Sequence, residues 1–415
     1  MSEARDQTVR DVVAVWLSHR PAAEPAAPAR SDITVRRADV LLPGRPGLLD
    51  VVADVDGRLA HLVVGLRRAD DEPHLLRAGD EVALGALEDA EGPAVCTDAL
   101  RDAQLAPLVL ATLRATETRP GPVAMVRDDE QATVLDCGDR GDLWVFPWLQ
   151  AGPHPAVDFL VALDAAGFNH VAAPLVRWSW EGSDLGLVQE PLTDRSGGWA
   201  LALTSLRDLY DSGGQPEAAG GDFGPEAHAL GTMMARMHLA LSSAFSRRAE
   251  PVAGWVDAAE AAIAAADPTL LSVPGMADLT AALRDNDVRL PAVRTHGDFH
   301  LGRTARTDQG WMVSDCMPGG VLPGDSVPAE RSPLADVADL LWSLHQASLE
   351  AALERDPAGR LDLAPLGQAW EARNRRAVLN GYLNTAGITG LTGHDREVVR
   401  NLVAVFELAR SVRSN

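Results

Sequence analysis

Arg294-Thr295-His296-Gly297-Asp298-Phe299-His300-Leu301-Gly302-Arg303 is the densest polar stretch of the chain, and it is followed by a short apolar run, Trp311-Met312-Val313-Ser314, that ends on Asp315. Two aspartates at the ends of neighbouring short strands could serve one site. One would accept a proton from an attacking hydroxyl and the other would hold a divalent metal on a phosphate. Such chemistry is mostly positioning and charge neutralisation, which calls for carboxylates rather than for a nucleophile. Two other readings stay open. His296 and His300 have the i, i+4 spacing of a zinc pair on a helix, although Gly297 and Gly302 count against a helix there. A His-Gly-Asp run also suits an ordinary turn with satisfied side chains. Asp315, at the right separation, favours the catalytic reading.

Upstream of this stretch the pattern divides. Residues 1–18 read as a short helix, and 19–31 as a Pro/Ala-rich connector. From Ile33 to Leu87 short β-prone runs alternate with turns, and Asp56-Gly57 between two such runs signals a hairpin. Residues 97–114 look helical, strand-like segments return at Pro122–Val126, Ala132–Leu135 and Leu143–Leu149, and Asp158–Ala166 reads as a helix ending at Gly167. Leu185–Gln189 is an apolar strand. Beyond a Gly-rich connector at 212–224 the chain is strongly helical, with Pro225 suited to a first helical position and Leu230, Met233, Met234, Met237 and Leu241 on one face. The methionines read as core rather than as ligands, and His238, His345 and Cys316 as packing or hydrogen-bonding residues. The expected architecture is α+β: a β-rich cap, a small mixed lobe and a larger helical lobe.

The 415 residues carry 59 Asp and Glu against 37 basic side chains, a formal charge of −22. That balance argues against a nucleic-acid partner and an anionic membrane surface, both of which need a basic face. Three scattered cysteines form neither a disulfide framework nor a metal knuckle. The first residues lack the pattern of a signal peptide, and no apolar run is long enough to span a bilayer, so the expected compartment is the cytoplasm. The chain contains no Lys; every basic side chain apart from His is Arg. Any chemistry that ordinarily uses an ammonium group must therefore be done otherwise.

The motif from His296 to Gly302, then Ser314-Asp315, then Arg331-Ser332-Pro333-Leu334-Ala335-Asp336-Val337-Ala338, resembles the actinobacterial maltokinases within the aminoglycoside-phosphotransferase-like kinase superfamily. Further matching stretches are Glu130-Gln131, Leu187–Glu190, Leu230–His238, Gly381-Tyr382-Leu383 and Phe406-Glu407-Leu408, in family order from Glu130 to the C-terminus. The resemblance implies a bilobal protein-kinase-like fold with an extra N-terminal cap: residues 1–95 the cap, 96–195 the nucleotide lobe up to the hinge, 196–415 the helical lobe. It implies ATP and Mg²⁺, with Asp298 as catalytic base, His300 and Arg303 beside it, and Asp315 as metal ligand. Gln189, Glu190 and Leu192 would hold adenine at the hinge, with Trp144 and Thr133 also on the nucleotide side. The acceptor sugar would meet Asp298, His300, Cys316 and Glu407.

The chain departs from that pattern on the nucleotide side. The family's phosphate-binding strand lysine aligns with Trp144, and its helix partner appears as Asp158. The position five after the catalytic Asp, normally a metal-binding Asn or Gln, is Arg303, and the phosphate-covering loop at Glu130–Thr133 looks shortened. A guanidinium cannot ligate Mg²⁺, but Arg303, Arg127 or Arg140 could contact phosphate in the lysine's stead. Two readings follow: a sugar kinase with a rewired phosphate clamp, or a pseudokinase that binds without transferring. Where maltokinases carry an acidic, glycine-containing segment after the metal Asp, this chain has Cys316-Met317-Pro318-Gly319-Gly320. The related glucosamine kinases share the scaffold, and an amino sugar's ammonium suits a carboxylate such as Glu407. The alternative for Glu407 is an ordinary ion pair with an Arg. The expectation is a monomeric, Mg²⁺- and ATP-dependent kinase acting on glucosamine in preference to maltose.

Overall fold

The computed structural model describes residues 3–20, 32–68, 82–89, 91–116, 121, 123–218, 221–285, 287–317, 330–359 and 361–413. The connector expected at 19–31 lies almost wholly outside the described residues, as do Pro122 and Pro318–Gly320. The chain forms two compact units. One contains Met1–Asp158 and Ala173–Thr193; the other contains Phe159–Ala172, Asp194–Gly320 and Val327–Asn415.

The first unit is built on two antiparallel sheets. Helix α1 (Glu3–Ser18) buries Val9, Val12, Val13 and Trp16, an i, i+3, i+4, i+7 stripe, in a core shared with the first sheet. That sheet holds β1 (Ile33–Leu42), β2 (Gly47–Val55), β3 (Arg58–Arg68), β4 (Ala83–Asp89) and β5 (Gly92–Asp98) in the order β1-β2-β3-β5-β4. Asp56 and Gly57 both take positive φ, 52° and 83°, between β2 and β3. This is the two-residue turn whose twist suits a hairpin, as the Asp-Gly pair predicts.

The helix expected over 97–114 is shorter, α2 (Ala106–Leu113). The carboxylates of Asp98 and Asp102 accept from the backbone N–H groups of Leu100, Gln104 and Leu105, and Asp102 also holds Arg67 by two hydrogen bonds. Side chains that capture local N–H groups stop a helix from starting, and Pro107 then marks its first turn.

The second sheet runs β10-β11-β8-β7-β6. Its strands are β6 (Ala124–Asp128), β7 (Thr133–Asp136), β8 (Asp142–Val145), β10 (Pro174–Trp180) and β11 (Ser183–Gln189). A two-residue strand, β9 (Trp148–Leu149), pairs instead with β3. Helix α3 (Pro155–Ala165) follows, and the boundary between units falls inside it.

The second unit is mainly helical: α4 (Gly198–Ser212), α5 (Gly224–Ala244), α6 (Val252–Ala266), α7 (Met276–Asp285), α8 (Leu334–Arg355), α9 (Ala364–Leu383), α10 (Thr389–Thr392) and α11 (Arg396–Ser411). Two small sheets accompany them, one of β12 (Ser196–Gly197), β15 (Thr304–Thr307) and β16 (Gly310–Val313), the other of β13 (Arg248–Pro251) and β14 (Arg289–Ala292). Met233, Met234 and Met237 are buried on α5, as core. Where α5 crosses α9, a Cβ on Gly231 would sit 2.2 Å from the Val378 carbonyl oxygen, and one on Gly381 would sit 2.0 Å from that of His228. Only glycine lets these backbones approach so closely. Among the described residues no helix is long and apolar enough to cross a membrane.

Candidate active site

The polar stretch from Arg294 to Arg303 is an irregular loop between β14 and β15, closed by a single 3-10 turn at Leu301–Arg303. Gly297 takes φ +93°, which favours glycine, so a helical His pair at 296 and 300 does not form. The loop is held from below by α8. The fully buried carboxylate of Asp336 accepts from the backbone N–H of His296 (2.8 Å) and of Gly297 (3.0 Å). It also lies 3.0 Å from His238 Nε2 and accepts from Arg331 (2.8 Å). His238 reaches the Tyr382 hydroxyl through its other nitrogen, at 2.9 Å. Burial pushes the Asp336 carboxyl up, but the His238 hydrogen bond and the Arg331 charge outweigh it and leave it well below the usual range.

His296 ties the two candidate carboxylates together. Its Nε2 donates to the Asp315 carbonyl oxygen (2.7 Å), and its Nδ1 accepts from the Asp298 N–H (3.3 Å). That assigns the Nε2–H tautomer, and burial lowers the ring's pKa, so the imidazole is neutral. His296 is a staple between Asp298 and Asp315, not a metal ligand.

The side chains of Asp298, His300, Arg303 and Asp315 converge. One arm of Arg303 donates to Asp298 Oδ2 (3.1 Å) and the other to Asp315 Oδ2. His300 accepts from the Gly302 N–H through Nδ1, which leaves Nε2–H directed at Asp298 Oδ2, 3.6 Å away. The second oxygen of Asp298 accepts from Arg410 of α11 (3.1 Å), and Arg410 also lies 3.5 Å from the buried Asp339. The His300 ring, with the Arg303 guanidinium, holds the Asp298 carboxyl far below its ordinary range against the opposing effect of burial. Asp339, three residues along α8 from Asp336, goes the other way. Burial pushes it up to about 6, Arg331 and Arg410 pulling only partly against this.

Asp336, His238, Arg331 and Arg410 are contributors that the sequence reading did not place at the site. Asp336 and Arg331 sat inside a matched motif, and His238 was read as a hydrogen-bonding residue. Arg410 carries no local signal, although it lies one turn beyond Glu407 on the same helix.

The other expected residues are placed as follows. Glu407 holds Arg375 with both oxygens at 2.5 Å each, the ion-pair alternative, so it is already engaged. Cys316 is buried, and burial raises its thiol far above the usual range, which makes it inert. In the first unit Trp144 lies in the central strand β8, opposite Val134 and Leu187, 5% exposed. Thr133 is buried, and its hydroxyl donates to Asp128 (2.9 Å). Gln189 is buried, Glu190 is exposed and Leu192 half-buried. Arg127 is engaged by Asp129 and Gln131, and Arg140 by the Cys137 carbonyl.

A hard carboxylate such as Asp315 suits Mg²⁺ bound through one or two protein oxygens plus phosphate. Among the described residues no group of three or more His, Cys, Asp or Glu is placed to hold a metal ion. Asp315 would hold such an ion with few protein ligands, a situation that Mg²⁺ tolerates when water and phosphate supply the rest.

No protein-family model matches the chain. It is 29% identical over 400 residues to the glucosamine kinase of Streptacidiphilus jiangxiensis, covering 89% of this chain and 86% of that enzyme. To the glucosamine kinase of Mycolicibacterium smegmatis it is 28% identical over 276 residues, 61% of this chain and 66% of that enzyme. A solved glucosamine kinase in complex with glucosamine, ADP and inorganic phosphate superposes with a TM-score of 0.68 at 21% identity, over 100% of this chain and 94% of that one. The fold is the glucosamine-kinase fold. Both sequence relatives and the superposed structure are glucosamine kinases, one of the two sugar-kinase types that the motif resemblance names. Within that fold the residues that converge on Asp298 all belong to the second unit.

Proposed function

We propose that this chain is a kinase that moves the γ-phosphoryl group of ATP to a hydroxyl of glucosamine. The observation that carries the reading is the loop that brings Asp298 and Asp315 onto one guanidinium, in a chain similar to glucosamine kinases over most of its length. Asp298 orients the attacking hydroxyl and takes its proton. Its carboxylate stays ionised because His300 and Arg303 hold its pKa down. A weakly basic carboxylate suffices where the transition state is loose and the proton leaves late. Mg²⁺ on Asp315, when bound, neutralises phosphate charge. Arg303, fixed beside both aspartates, supplies the planar guanidinium that phosphate oxygens accept from, in a chain without lysine.

The nucleotide side is assigned to the backbone of Gln189, Glu190 and Leu192, with Trp144 and Thr133 shaping the sheet behind it. On this reading residues 1–95 are a cap, 96–195 the nucleotide lobe and 196–415 the acceptor lobe, in a cytoplasmic monomer. The ammonium of glucosamine meets a region rich in carboxylates, where Glu407 shares its charge with Arg375. Buried Trp144 in place of a phosphate-binding lysine favours the second reading, a module that binds nucleotide or sugar without transfer.

Release of ADP from ATP and Mg²⁺ separates the two. The kinase reading expects turnover with glucosamine and less than about a tenth of it with maltose or no acceptor. Saturable nucleotide binding without ADP release in the presence of any amino sugar would establish the binding module instead.

A further inference from the structure

The position of Arg303 has a consequence for how many cations the site can hold. Its backbone is pinned at both ends: its N–H donates to the His300 carbonyl (2.9 Å) and its C=O accepts from Ser314 (2.9 Å). Only the side chain is free to rearrange. That side chain is half-buried and spans the two carboxylates, with one N–H group on Asp298 Oδ2 and another on Asp315 Oδ2. The other oxygen of Asp315 accepts from the Met317 N–H (2.9 Å), and the other oxygen of Asp298 accepts from Arg410 (3.1 Å). Each carboxylate oxygen that a hard cation would use is therefore already facing a hydrogen-bond donor, and three of the four oxygens face a guanidinium. A divalent ion entering between Asp298 and Asp315 would meet a fixed positive charge in a half-buried place, where like charges repel more strongly than in water. A guanidinium has no lone pair to offer the ion, so it can only compete with it.

We propose that Arg303 is a built-in cation of this site. It keeps divalent metal off the Asp298–Asp315 pair in the nucleotide-free protein, and it limits the loaded site to one divalent ion. The proposal rests on the kinase reading above for its second half only; the first half concerns the free protein. When nucleotide brings its own phosphate oxygens, the Arg303 side chain gains an alternative anionic partner and can release Asp315. Metal binding and nucleotide binding are then obligatorily coupled in this protein, through a residue whose charge does not titrate in the working range.

The test is a Mn²⁺ titration followed by electron paramagnetic resonance, on the full-length protein. Without nucleotide, wild type and Arg303→Lys should bind no Mn²⁺ below about 1 mM, whereas Arg303→Gln should bind it at least about ten-fold more tightly, since affinity for such ions follows the net charge of the ligand set. Equal affinity in wild type and Arg303→Gln would overturn the exclusion. With a saturating non-hydrolysable ATP analogue, wild type should hold one Mn²⁺ per bound nucleotide; two would overturn the limit. That count uses wild type alone, so it decides even if Arg303→Gln does not fold. Nucleotide occupancy is measured separately by equilibrium dialysis of the labelled analogue. Failure to bind the analogue would remove the kinase reading, while the nucleotide-free comparison would still decide whether Arg303 excludes the ion.

Discussion

The half-buried loop around Asp298 and the buried strand around Trp144 are both parts of a kinase-like scaffold, and they are stabilised in opposite ways. The loop has almost no regular structure and is fixed by charge: Asp336 accepts four hydrogen bonds or ion pairs, His296 bridges two segments, and two arginines hold Asp298. Strand β8 is fixed by its sheet and by apolar packing on both faces, with Leu143, Trp144, Val145 and the following Phe146 all buried. Polar networks position atoms closely but depend on every member, because one missing partner strands the rest in a low-dielectric interior. Apolar packing tolerates substitution and specifies no charge. On the proposed reading, charge is concentrated where a hydroxyl is to be activated, and apolar packing stands where the motif resemblance implies a phosphate-binding lysine.

The largest effect expected from this difference is on turnover. Asp298→Ala should lower kcat by about 10³, the usual contribution of a positioned base, with ADP release as the measurement. Its stability should change by no more than about 1 kcal/mol, because Arg303 keeps Asp315 and Arg410 keeps Asp339 as partners. Asp336→Ala should show the reverse emphasis. It leaves two backbone N–H groups and Arg331 without their buried acceptor, and unfolding free energy from denaturant melts should fall by about 3–5 kcal/mol. If Asp336→Ala is as stable as wild type, the loop is not held by charge and the contrast with β8 fails.

How much of this the sequence carries follows from the same contrast. Asp298 and Asp315 were legible because the His-Gly-Asp run and the apolar strand before the second Asp are local patterns, and the structure brings both to Arg303. The Asp56-Gly57 hairpin and the buried methionine face of α5 were legible for the same reason. Arg410 was not: it lies 112 residues from Asp298, and nothing in the composition of α11 distinguishes it from other surface arginines. The short α2 was misjudged because periodicity ignores side chains that compete for backbone N–H groups, as Asp98 and Asp102 do. Glu407 illustrates a different limit. A sequence supplies a carboxylate but not its partner, and here Arg375 is that partner.

The smallest expected effect is the most informative about the nucleotide side. The indole Nε1 of Trp144 is buried without a hydrogen-bond partner among the described residues. An unsatisfied buried donor costs about 1–3 kcal/mol, so replacing it with an apolar ring removes a penalty. Trp144→Phe also removes ring volume from a packed strand, which costs a comparable amount. The two terms oppose each other, and the net change in unfolding free energy should be within about 1 kcal/mol. If Trp144 only fills the sheet, nucleotide affinity measured by calorimetry should stay within about two-fold of wild type. A loss of ten-fold or more at unchanged stability would mean that the indole itself touches nucleotide. The lysine's place would then have a binding role of its own rather than a place in the core, and β8 would have to be read as a nucleotide-contacting strand.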